Sequence, residues 1–388
     1  MLSSSQSTRI TLVIAGLNGG GAERVCVNLA NAWAAQGRPV TIQTVFRKSR
    51  PPAYAIDPRV ELRDIGWPRE ATFAELNMPA LVRVLRGLQS AGCLELVDEI
   101  ALIAAMRHAI LATSPDVVIA IIDMTNVRVL AAMYETNVPV IACEQTDASQ
   151  VSLGRWQHAR YELYRRAAGL VAPHPTIAQW MARSGARAYA IPNPLVAPPP
   201  IQVERPNQRH RLVTLMRLSD EKRPVLLVRA FGTIAADFPD WDLEIYGVGP
   251  LLEPLVGLAQ DVAPGQIHFR GFVNDNYAVL SGADIFVSSS WVEGFGNAIW
   301  EALACGVPVV AMECGDPVSS LVRDGIDGVI VRGGISELAS ALESLMRDDG
   351  RRRALAARAP EVLTRFSYES SLEAWDSLIT SVVNDAGK

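Results

Sequence analysis

The sequence has no uninterrupted apolar run that reaches the roughly 20 residues of a membrane-spanning helix. Its first apolar run, residues 10–17, is short, lacks a cleavage site and leads into a glycine-rich turn, so we predict no signal peptide. The cysteines include no CxxC pair, which argues against a disulfide framework or a structural zinc site. They are Cys26, Cys93, Cys143, Cys305 and Cys314. These absences predict a cytoplasmic protein with reduced thiols.

The glycine-rich segment 16–24, GLNGGGAER, also lacks two common nucleotide-binding patterns. Its G-x-x-G-G-G spacing is not a dinucleotide fingerprint, and no acidic residue follows at the end of the second predicted strand. It contains no Gly-Lys-Ser/Thr and is therefore not a P-loop. The glycines indicate that the backbone of this segment makes a close approach to another group. A purely structural turn is an equal alternative.

The chain has 388 residues, of which 49% are hydrophobic and 20% charged, enough material for two globular domains. Its two halves differ in charge. Residues 1–196 contain 19 Lys and Arg against 15 Asp and Glu, a net of +4, whereas the remainder has 17 against 26, a net of −9. The contrast favours an anionic partner for the first half, although an ordinary solvated surface explains it equally well.

Short apolar runs alternate with helical patterns, which is typical of a parallel, doubly wound sheet covered on both faces. In the first half, the predicted strands span residues 10–15, 40–45, 117–122, 139–143, 169–172 and 188–191, with helices that include 22–36 and 94–112. In the second half, they span residues 212–216, 242–246, 266–269, 284–288, 308–311 and 328–331.

A proline-rich break separates the halves, with Pro192, Pro194 and the run 198–200 followed by the polar stretch 204–211. We predict a first domain over residues 1–196 and a second over 197–367. The C-terminal segment 368–388, helical at least to residue 383, is expected to pack back on the first domain. Because open α/β sheets bind ligands at the carboxyl ends of their strands, we expect the domains to face each other across a cleft.

The most informative stretch is 293–308, EGFGNAIWEALACGVP, which predicts a tight turn, a short helix and the start of a strand. Asn297 is expected to cap the helix, and the free N–H groups at the helix start suit a phosphate. Glu293 and Glu301 are at most about 12 Å apart by helical rise, so they can bracket a nucleotide sugar. A capped core helix is the alternative.

Arg217 and Lys222 lie in a second informative stretch, residues 215–231, between a strand and an amphipathic helix. Two fixed cations at the end of a parallel strand can neutralise a departing diphosphate without a metal ion. A surface loop with solvated charges is the alternative.

In this combination the chain resembles the retaining GT-B glycosyltransferases of family four, which build bacterial exopolysaccharides and lipid-linked oligosaccharides. The matching pieces follow in order over most of the chain: GGGAER after the first strand, IPNP at 191–194, RLSDEK at 217–222, GVGP at 247–250, HFRGFV at 268–273 and the Glu-x7-Glu helix from Glu293 to Glu301. Two further pieces resemble the polysaccharide-assembly members: WxxxRxxxY at Trp156, Arg160 and Tyr164, and EQTD at 144–147.

The resemblance implies a GT-B fold of two Rossmann-like domains and a site for a nucleotide sugar. Arg217 and Lys222 would hold the donor diphosphate and Glu293 would contact the transferred sugar, so these are the predicted catalytic residues. Glu301 would hold the ribose hydroxyls, and residues 272–273 would flank the base. The full set of predicted donor-binding residues is Gly247, Phe272, Val273, Phe295, Gly296, Asn297 and Glu301.

The resemblance also places the acceptor side in the first domain. Several relatives carry a histidine in a segment where this chain has Glu144. Which residue replaces that histidine is left open. His174, which follows a predicted strand, is a weak candidate for this role. The predicted acceptor-side residues are Gly19, Gly20, Gly21, Glu144 and Arg160.

No cofactor, metal site or nucleic-acid partner is predicted. In enzymes similar to this family, the leaving phosphate itself takes the acceptor proton. Residues 240–242, DWD, formally match a DxD metal motif but lead into a strand at the far edge. The basic stretch 155–166 interleaves Trp156, Tyr161 and Tyr164 and could lie on an anionic membrane surface. An exposed amphipathic helix that lines the cleft with Arg160 and Tyr164 is the alternative.

The sequence therefore predicts a retaining, metal-independent glycosyltransferase that moves a hexose or N-acetylhexosamine. The expected donor is a nucleotide sugar, with UDP favoured. The expected acceptor is an exopolysaccharide or lipid-linked glycan, with a polyprenyl diphosphate as the favoured carrier, at the cytoplasmic face of the membrane. The alternatives are a sugar phosphorylase or sucrose-synthase-like enzyme on the same fold, and a nucleotide-sugar-binding protein without turnover.

Overall fold

The computed structural model of the protein describes residues 8–46, 51–66, 96–200 and 209–387. Cys93, the first two residues of the predicted helix 94–112 and residues 204–208 of the predicted linker lie outside the described residues. The chain divides into two compact units. Unit 1 comprises Met1–Pro194 and Glu369–Lys388, and unit 2 comprises Leu195–Tyr368.

Unit 1 is built on a seven-stranded parallel sheet in the order β3-β2-β1-β4-β5-β6-β7. The strands are β1 (Ile10–Ile14), β2 (Val40–Thr44), β3 (Glu61–Asp64), β4 (Val117–Ile121), β5 (Val140–Cys143), β6 (Gly169–Ala172) and β7 (Ala188–Ala190). The sequence missed only β3, whose four residues, ELRD, are all exposed and show no apolar pattern. This strand forms the edge of the sheet by pairing with β2.

Apolar side chains cover both faces of this sheet, as buried parallel strands require. One face is covered by the helices Leu96–Leu111, Asp123–Ala132, Gln157–Tyr164 and Pro175–Ala182. The other face is covered by the helices Gly21–Ala35 and Tyr368–Ala386. On that face the rings of Trp33 and Trp375 meet edge to face with centroids 6.1 Å apart. The Trp33 indole N–H also donates to Asp376 at 2.9 Å, which fixes the C-terminal helix on unit 1.

Unit 2 contains a six-stranded parallel sheet in the order β10-β9-β8-β11-β12-β13. The strands are β8 (His210–Leu215), β9 (Trp241–Tyr246), β10 (Ile267–Gly271), β11 (Ile285–Ser288), β12 (Val309–Met312) and β13 (Gly328–Val331). The helices are Pro224–Ile234, Leu252–Val262, Asn276–Leu280, Asn297–Ala304, Asp316–Leu321, Ile335–Arg347, Asp349–Arg358 and Val362–Arg365. All six strands lie within two residues of their predicted bounds.

The two sheets share one feature that matters for binding. In each, the chain winds outward in one direction and then restarts beside the first strand, so β1 adjoins β4 and β8 adjoins β11. Connections leave such neighbouring strands toward opposite faces, which opens a crevice at their carboxyl ends where ligands bind. The predicted doubly wound α/β fold is confirmed. None of the helices in the described ranges is both long and apolar enough to cross a membrane.

Candidate active site

The loops that follow β8 and β11 bring together the predicted catalytic residues of unit 2. Arg217 and Lys222 follow β8, and Glu293 follows β11. Because these strands are parallel neighbours, both loops leave the same edge of the sheet. The crevice between β8 and β11, where the strand order reverses, opens at this edge.

Lys222 and Glu293 meet directly, although 71 residues separate them in sequence. The Lys222 Nζ donates to Glu293 Oε1 at 2.7 Å, and the Ser290 hydroxyl donates to the same oxygen at 2.7 Å. The lysine side chain is 24% exposed and the glutamate side chain 16%. The pair is thus held in place but remains open to solvent and to a ligand.

Backbone contacts fix the turn that carries Lys222. The short 3-10 helix Asp220–Lys222 is joined to the loop after β11 by two hydrogen bonds. The Ser289 hydroxyl donates to the Lys222 carbonyl at 2.7 Å, and the Trp291 N–H donates to the Glu221 carbonyl at 3.1 Å. The two loops therefore form one connected structure, and Lys222 and Glu293 are positioned by it.

Arg217 is exposed, and its guanidinium has no ion pair among the residues that the structure describes. Its loop lies against the turn after β9, where two glycines allow backbone to touch backbone. A Cβ at Gly247, whose φ is +136°, would lie 1.8 Å from the Met216 carbonyl oxygen, and one at Gly249 would lie 2.3 Å from that of Leu218. Gly247 thus supports the arginine loop by its lack of a side chain.

The helix Asn297–Ala304 begins directly after this site. The residue that precedes its first turn is Gly296, in the left-handed region with φ +92°, and no side chain caps the helix. The prediction that Asn297 caps it was therefore wrong by one position, since Asn297 is the first helical residue. Phe295 is buried and packs edge to face on Phe366, with ring centroids 5.6 Å apart.

Glu301 lies one turn into this helix and is buried, with 1% of its surface exposed. Its Oε2 accepts a hydrogen bond from the Asn276 side-chain amide at 2.7 Å. Sequence reasoning missed Asn276, because nothing in the pattern connects it with a residue 25 positions later. Phe272 and Val273 follow β10 at the same edge of the sheet, and Phe272 is 44% exposed, an accessible aromatic surface.

In unit 1, the glycine-rich turn after β1 uses its own backbone groups internally. The Glu23 carboxylate accepts hydrogen bonds from the N–H groups of Gly19 and Gly20, and the Tyr54 hydroxyl donates to the Gly19 carbonyl at 2.9 Å. Gly19 has φ +110°, and the helix begins at Gly21. The turn is therefore held by side chains on both its N–H and its C=O groups.

Glu144 and Arg160 form an ion pair inside unit 1, with side chains 0% and 1% exposed. The same carboxylate oxygen accepts a hydrogen bond from the Tyr164 hydroxyl, to which the Asn126 amide donates at 3.2 Å. Because these side chains are enclosed, they do not line an open surface as predicted. A role toward an acceptor would have to be exerted through the loops that they hold.

Burial dominates the electrostatics of this cluster. It raises the pKa of the Glu144 carboxyl, against the opposing effects of Arg160 and of the Tyr164 hydrogen bond. It also raises the pKa of Tyr164 well above its usual value. Within the described part of the chain, Glu144 Oε2, Arg160 Nε and Asn126 Oδ1 have no hydrogen-bond partner.

The segment 155–166 does not offer the predicted row of aromatic side chains to a membrane. Trp156 and Tyr164 are buried in unit 1, and Tyr161 packs against Trp180 with ring centroids 5.6 Å apart. The helical charge pattern was misleading because the pairing of Arg160 with Glu144 turns this face of the helix toward the interior.

The remaining candidates have structural roles. The His174 Nδ1 caps the helix Pro175–Ala182 by accepting from the Thr176 N–H at 3.3 Å. Asp242 lies near the amino end of β9, away from the carboxyl edge, and pairs with Arg209 at 2.7 Å. No group of three or more His, Cys, Asp or Glu side chains suited to a metal ion occurs among residues 8–46, 51–66, 96–200 and 209–387.

Comparison with known families gives one match in each unit. The family described as "Glycosyl transferase 4-like domain" matches residues 20–194, and "Glycosyl transferases group 1" matches residues 200–362. Together they cover most of the chain, and their boundary lies at the division between the two units.

Two curated relatives illustrate the range of similarity. A "Poly(glycerol-phosphate) alpha-glucosyltransferase" of Bacillus subtilis is 27% identical over 47% of this chain, which spans only 28% of that protein. The chain is 24% identical to a Campylobacter jejuni protein, with 97% of this chain and 99% of the relative covered. That relative is named "GalNAc-alpha-(1->4)-GalNAc-alpha-(1->3)-diNAcBac-PP-undecaprenol alpha-1,4-N-acetyl-D-galactosaminyltransferase".

Solved structures with the same fold cover nearly the whole chain. TarM of S. aureus, in complex with UDP, superposes with a TM-score of 0.76 at 12% identity over 96% of this chain and 99% of TarM. HepE of Anabaena, in complex with UDP-glucose, gives 0.71 at 17% identity over 96% and 99%. Sucrose-phosphate synthase of Thermosynechococcus elongatus gives 0.77 at 18% identity over 97% and 100%. With two glycosyltransferase domains in this order and this fold, the chain belongs to the GT-B glycosyltransferases of family four.

Proposed function

We propose that the protein transfers a hexose or an N-acetylhexosamine from a UDP-sugar to an exopolysaccharide or lipid-linked glycan, with retention and without a metal ion. The observation that carries this proposal is the contact of Lys222 with Glu293, with the exposed Arg217 in the same loop after β8. At one edge of the sheet, cations suit the diphosphate end of a nucleotide sugar, and a carboxylate suits the hydroxyl groups of the sugar end. The UDP and UDP-glucose bound to TarM and HepE support the choice of nucleotide.

In this proposal, a donor phosphate oxygen replaces Glu293 as the partner of Lys222. Arg217 binds the same diphosphate, and the negative charge that grows as the sugar departs is stabilised by both cations. Glu293 Oε1, still held by the Ser290 hydroxyl, is then free to accept from a sugar hydroxyl. Glu301 holds the ribose, and the exposed ring of Phe272 lies beside the base.

The basic residue at position 222 is itself informative. Only three of the 36 basic residues are lysines, at positions 48, 222 and 388, and the other 33 are arginines. A lysine supplies a compact charge with three rotatable donors, whereas an arginine supplies a rigid fork. A flexible point charge suits a group that changes partner from a carboxylate to a phosphate during the reaction.

The acceptor is proposed from the relatives. The Campylobacter protein, which this chain matches over nearly its full length, is named for a glycan carried on PP-undecaprenol. An acceptor of that kind would bring the enzyme to the cytoplasmic face of a membrane. Trp156 and Tyr164 are enclosed, so these two side chains would not be the ones that meet the lipid.

The proposal is tested with purified protein, EDTA and a panel of UDP-, GDP- and ADP-sugars. We expect a UDP-sugar to raise the melting temperature most, because it binds only the folded protein. UDP should be released slowly without metal, and with an added glycan acceptor the product should keep the anomeric configuration of the donor by NMR. Inversion, or activity that returns only with a divalent ion, would contradict the proposal.

Two outcomes point to the alternatives. Dependence of sugar release on free inorganic phosphate would indicate a phosphorylase-like reaction. Tight binding of a UDP-sugar, with neither hydrolysis nor transfer in any condition, would indicate a binding protein. For charge-removing variants of the proposed site, such as Lys222→Ala, the matched control is Arg353→Ala. It removes a 77% exposed cation of unit 2 and should behave as the wild type.

A further inference from the structure

A second concavity of unit 2 adjoins the turn that carries Lys222. It has a volume of about 490 Å³ and is lined by residues that flank Lys222 in sequence, but not by Lys222 or Glu293 themselves. Its walls include Asp220, Arg223, Val225, Arg229 and Ile335, and we call it the Arg223 pocket. Its size is within the range of small-molecule sites.

Two guanidinium groups, those of Arg223 and Arg229, line this pocket. The side chains of Arg223 and Arg229 make no ion pair or hydrogen bond with any residue that the structure describes. Elsewhere in unit 2, both partly buried and exposed arginines pair with carboxylates: Arg323, 25% exposed, with Asp327 at 2.6 Å, and Arg332, 65% exposed, with Glu313 at 2.9 Å. Since Asp220 is the only carboxylate in the lining, the pocket has an excess positive charge.

The backbone of Arg223 gives a second, independent indication. Its φ of +49° and ψ of +47° place it in the left-handed region, between the 3-10 turn and the helix Pro224–Ile234. Side chains are disfavoured in this region and glycine is preferred, so an arginine here is strained relative to glycine. An unpaired guanidinium at a strained backbone position favours a role in binding over a purely structural one.

The rest of the lining is apolar. Val225 is 38% exposed, and Pro224, Leu226, Leu251 and Ile335 complete the wall. A site of this kind suits a ligand with an anionic head and an apolar body, because the cations bind the head and the wall removes the body from water.

We propose that the Arg223 pocket binds a phosphate ester with an apolar substituent, and that its occupancy changes the rate of the donor site. The connection is short. The Arg223 N–H donates to the Asp220 carbonyl at 3.0 Å, and the Lys222 carbonyl between them accepts from Ser289 at 2.7 Å. A ligand that moves Arg223 therefore acts on Lys222. The effect on rate rests on the proposed function, whereas the binding does not.

Binding is tested by calorimetry on the full chain, with hexyl phosphate and inorganic phosphate as probes. We expect hexyl phosphate to bind at least tenfold more tightly than inorganic phosphate, and saturating UDP not to displace it. Arg223→Gln and Arg229→Gln should each weaken binding at least tenfold, while Arg217→Ala and Arg353→Gln leave it unchanged. Equal affinity in the pocket variants, displacement by UDP, equal binding of the two probes or no binding would each overturn the proposal.

Arg223→Gly separates binding from folding. Because glycine relieves the strained backbone, this variant should melt at the same temperature as the wild type or higher, yet lose hexyl phosphate. It should also lose any effect of hexyl phosphate on UDP-sugar hydrolysis, which in the wild type should change at least twofold. An unchanged wild-type rate would overturn the regulatory part even if UDP-sugar hydrolysis itself is normal.

Phosphate esters of this kind occur both as soluble metabolites and as lipid headgroups. Co-sedimentation with vesicles that contain phosphatidic acid, lost in Arg223→Gln and Arg229→Gln, would identify the lipid as the ligand. Binding of hexyl phosphate without such co-sedimentation would identify a soluble ester.

Discussion

Each unit contains a cation and a carboxylate that meet near the carboxyl ends of its central strands, but the two pairs differ in access to water. Lys222 and Glu293 of unit 2 are 24% and 16% exposed, whereas Arg160 and Glu144 of unit 1 are 1% and 0% exposed. An accessible pair can exchange its partner for a ligand. An enclosed pair cannot do so without leaving a charge unpaired in the interior, and it is therefore a structural element.

The largest effect is expected when the enclosed pair is broken. Arg160→Met removes the partner of a buried carboxylate and should lower the free energy of unfolding by about 3–5 kcal/mol. The midpoint of urea unfolding measures this loss. Arg353→Met removes one partner of an exposed pair and should change the free energy by less than about 0.5 kcal/mol. In the double variant with Glu144→Gln, part of the loss should be recovered; a loss that simply adds would show that the two side chains do not interact.

The next largest effect concerns the accessible pair. Lys222→Ala should lower kcat/KM for the donor about 10²- to 10³-fold, or about 2.7–4 kcal/mol, because in the proposed mechanism this cation stabilises the departing diphosphate. The urea midpoint should stay near that of the wild type. Lys222→Arg should not restore the rate, since the rigid fork differs in shape and reach. A variant as active as the wild type would show that this pair takes no part in transfer.

A smaller effect is expected at Asn276, which holds Glu301 without being a predicted ligand itself. Asn276→Ala removes the 2.7 Å hydrogen bond to the buried carboxylate. We expect KM for the donor to rise about tenfold, or about 1.4 kcal/mol, with little change in kcat, because in the proposed mechanism Glu301 binds the ribose and not the departing group. A fall in kcat with KM unchanged would place Glu301 in the chemical step instead.

The smallest effect is the pH dependence of the enclosed pair. Burial raises the pKa of Glu144 above its ordinary value of 4.5, so the folded protein binds this proton more tightly than the unfolded chain does. The stability from this group is fully present below pH 4.5 and is lost as the pH rises through the folded pKa. Compared with Glu144→Gln, the wild type should lose urea stability as the pH rises from 4.5. A difference that grows in favour of the wild type would mean that the attraction of Arg160 outweighs burial and leaves the pKa of this carboxyl below its ordinary value.

The strands were predictable because buried parallel strands are apolar on both faces, a local property. All the predicted strands lie within two residues of their observed bounds, whereas β3, which is exposed throughout, left no signal. Local reasoning also placed Lys222 and Glu293 correctly in loops after strands, because each of those strands could be recognised. Their direct contact depends on β8 and β11 being neighbours in the sheet. This neighbourhood is consistent with the doubly wound sheet that the alternation of strands and helices predicts.

What could not be predicted depends on distant partners. The pattern of residues 155–166 resembles an exposed amphipathic helix, and only the position of Glu144 shows that Arg160 points inward. The role of Asn276 in holding Glu301 could not be predicted for the same reason, because the two residues are 25 positions apart in sequence. The capping prediction at Asn297 failed for a local reason, because the left-handed Gly296 already ends the preceding loop and the helix starts one residue earlier than a cap at Asn297 requires.

The glycines after β9 bear on how donor preference could be redesigned. Because Gly247 and Gly249 let one loop rest on the backbone of another, the position of Arg217 depends on two places where no side chain fits. Substitutions there should impair every donor alike, whatever its base or sugar. Libraries that aim at a new nucleotide should instead vary Phe272 and Val273, the proposed neighbours of the base, whose side chains reach solvent and leave the arginine loop undisturbed.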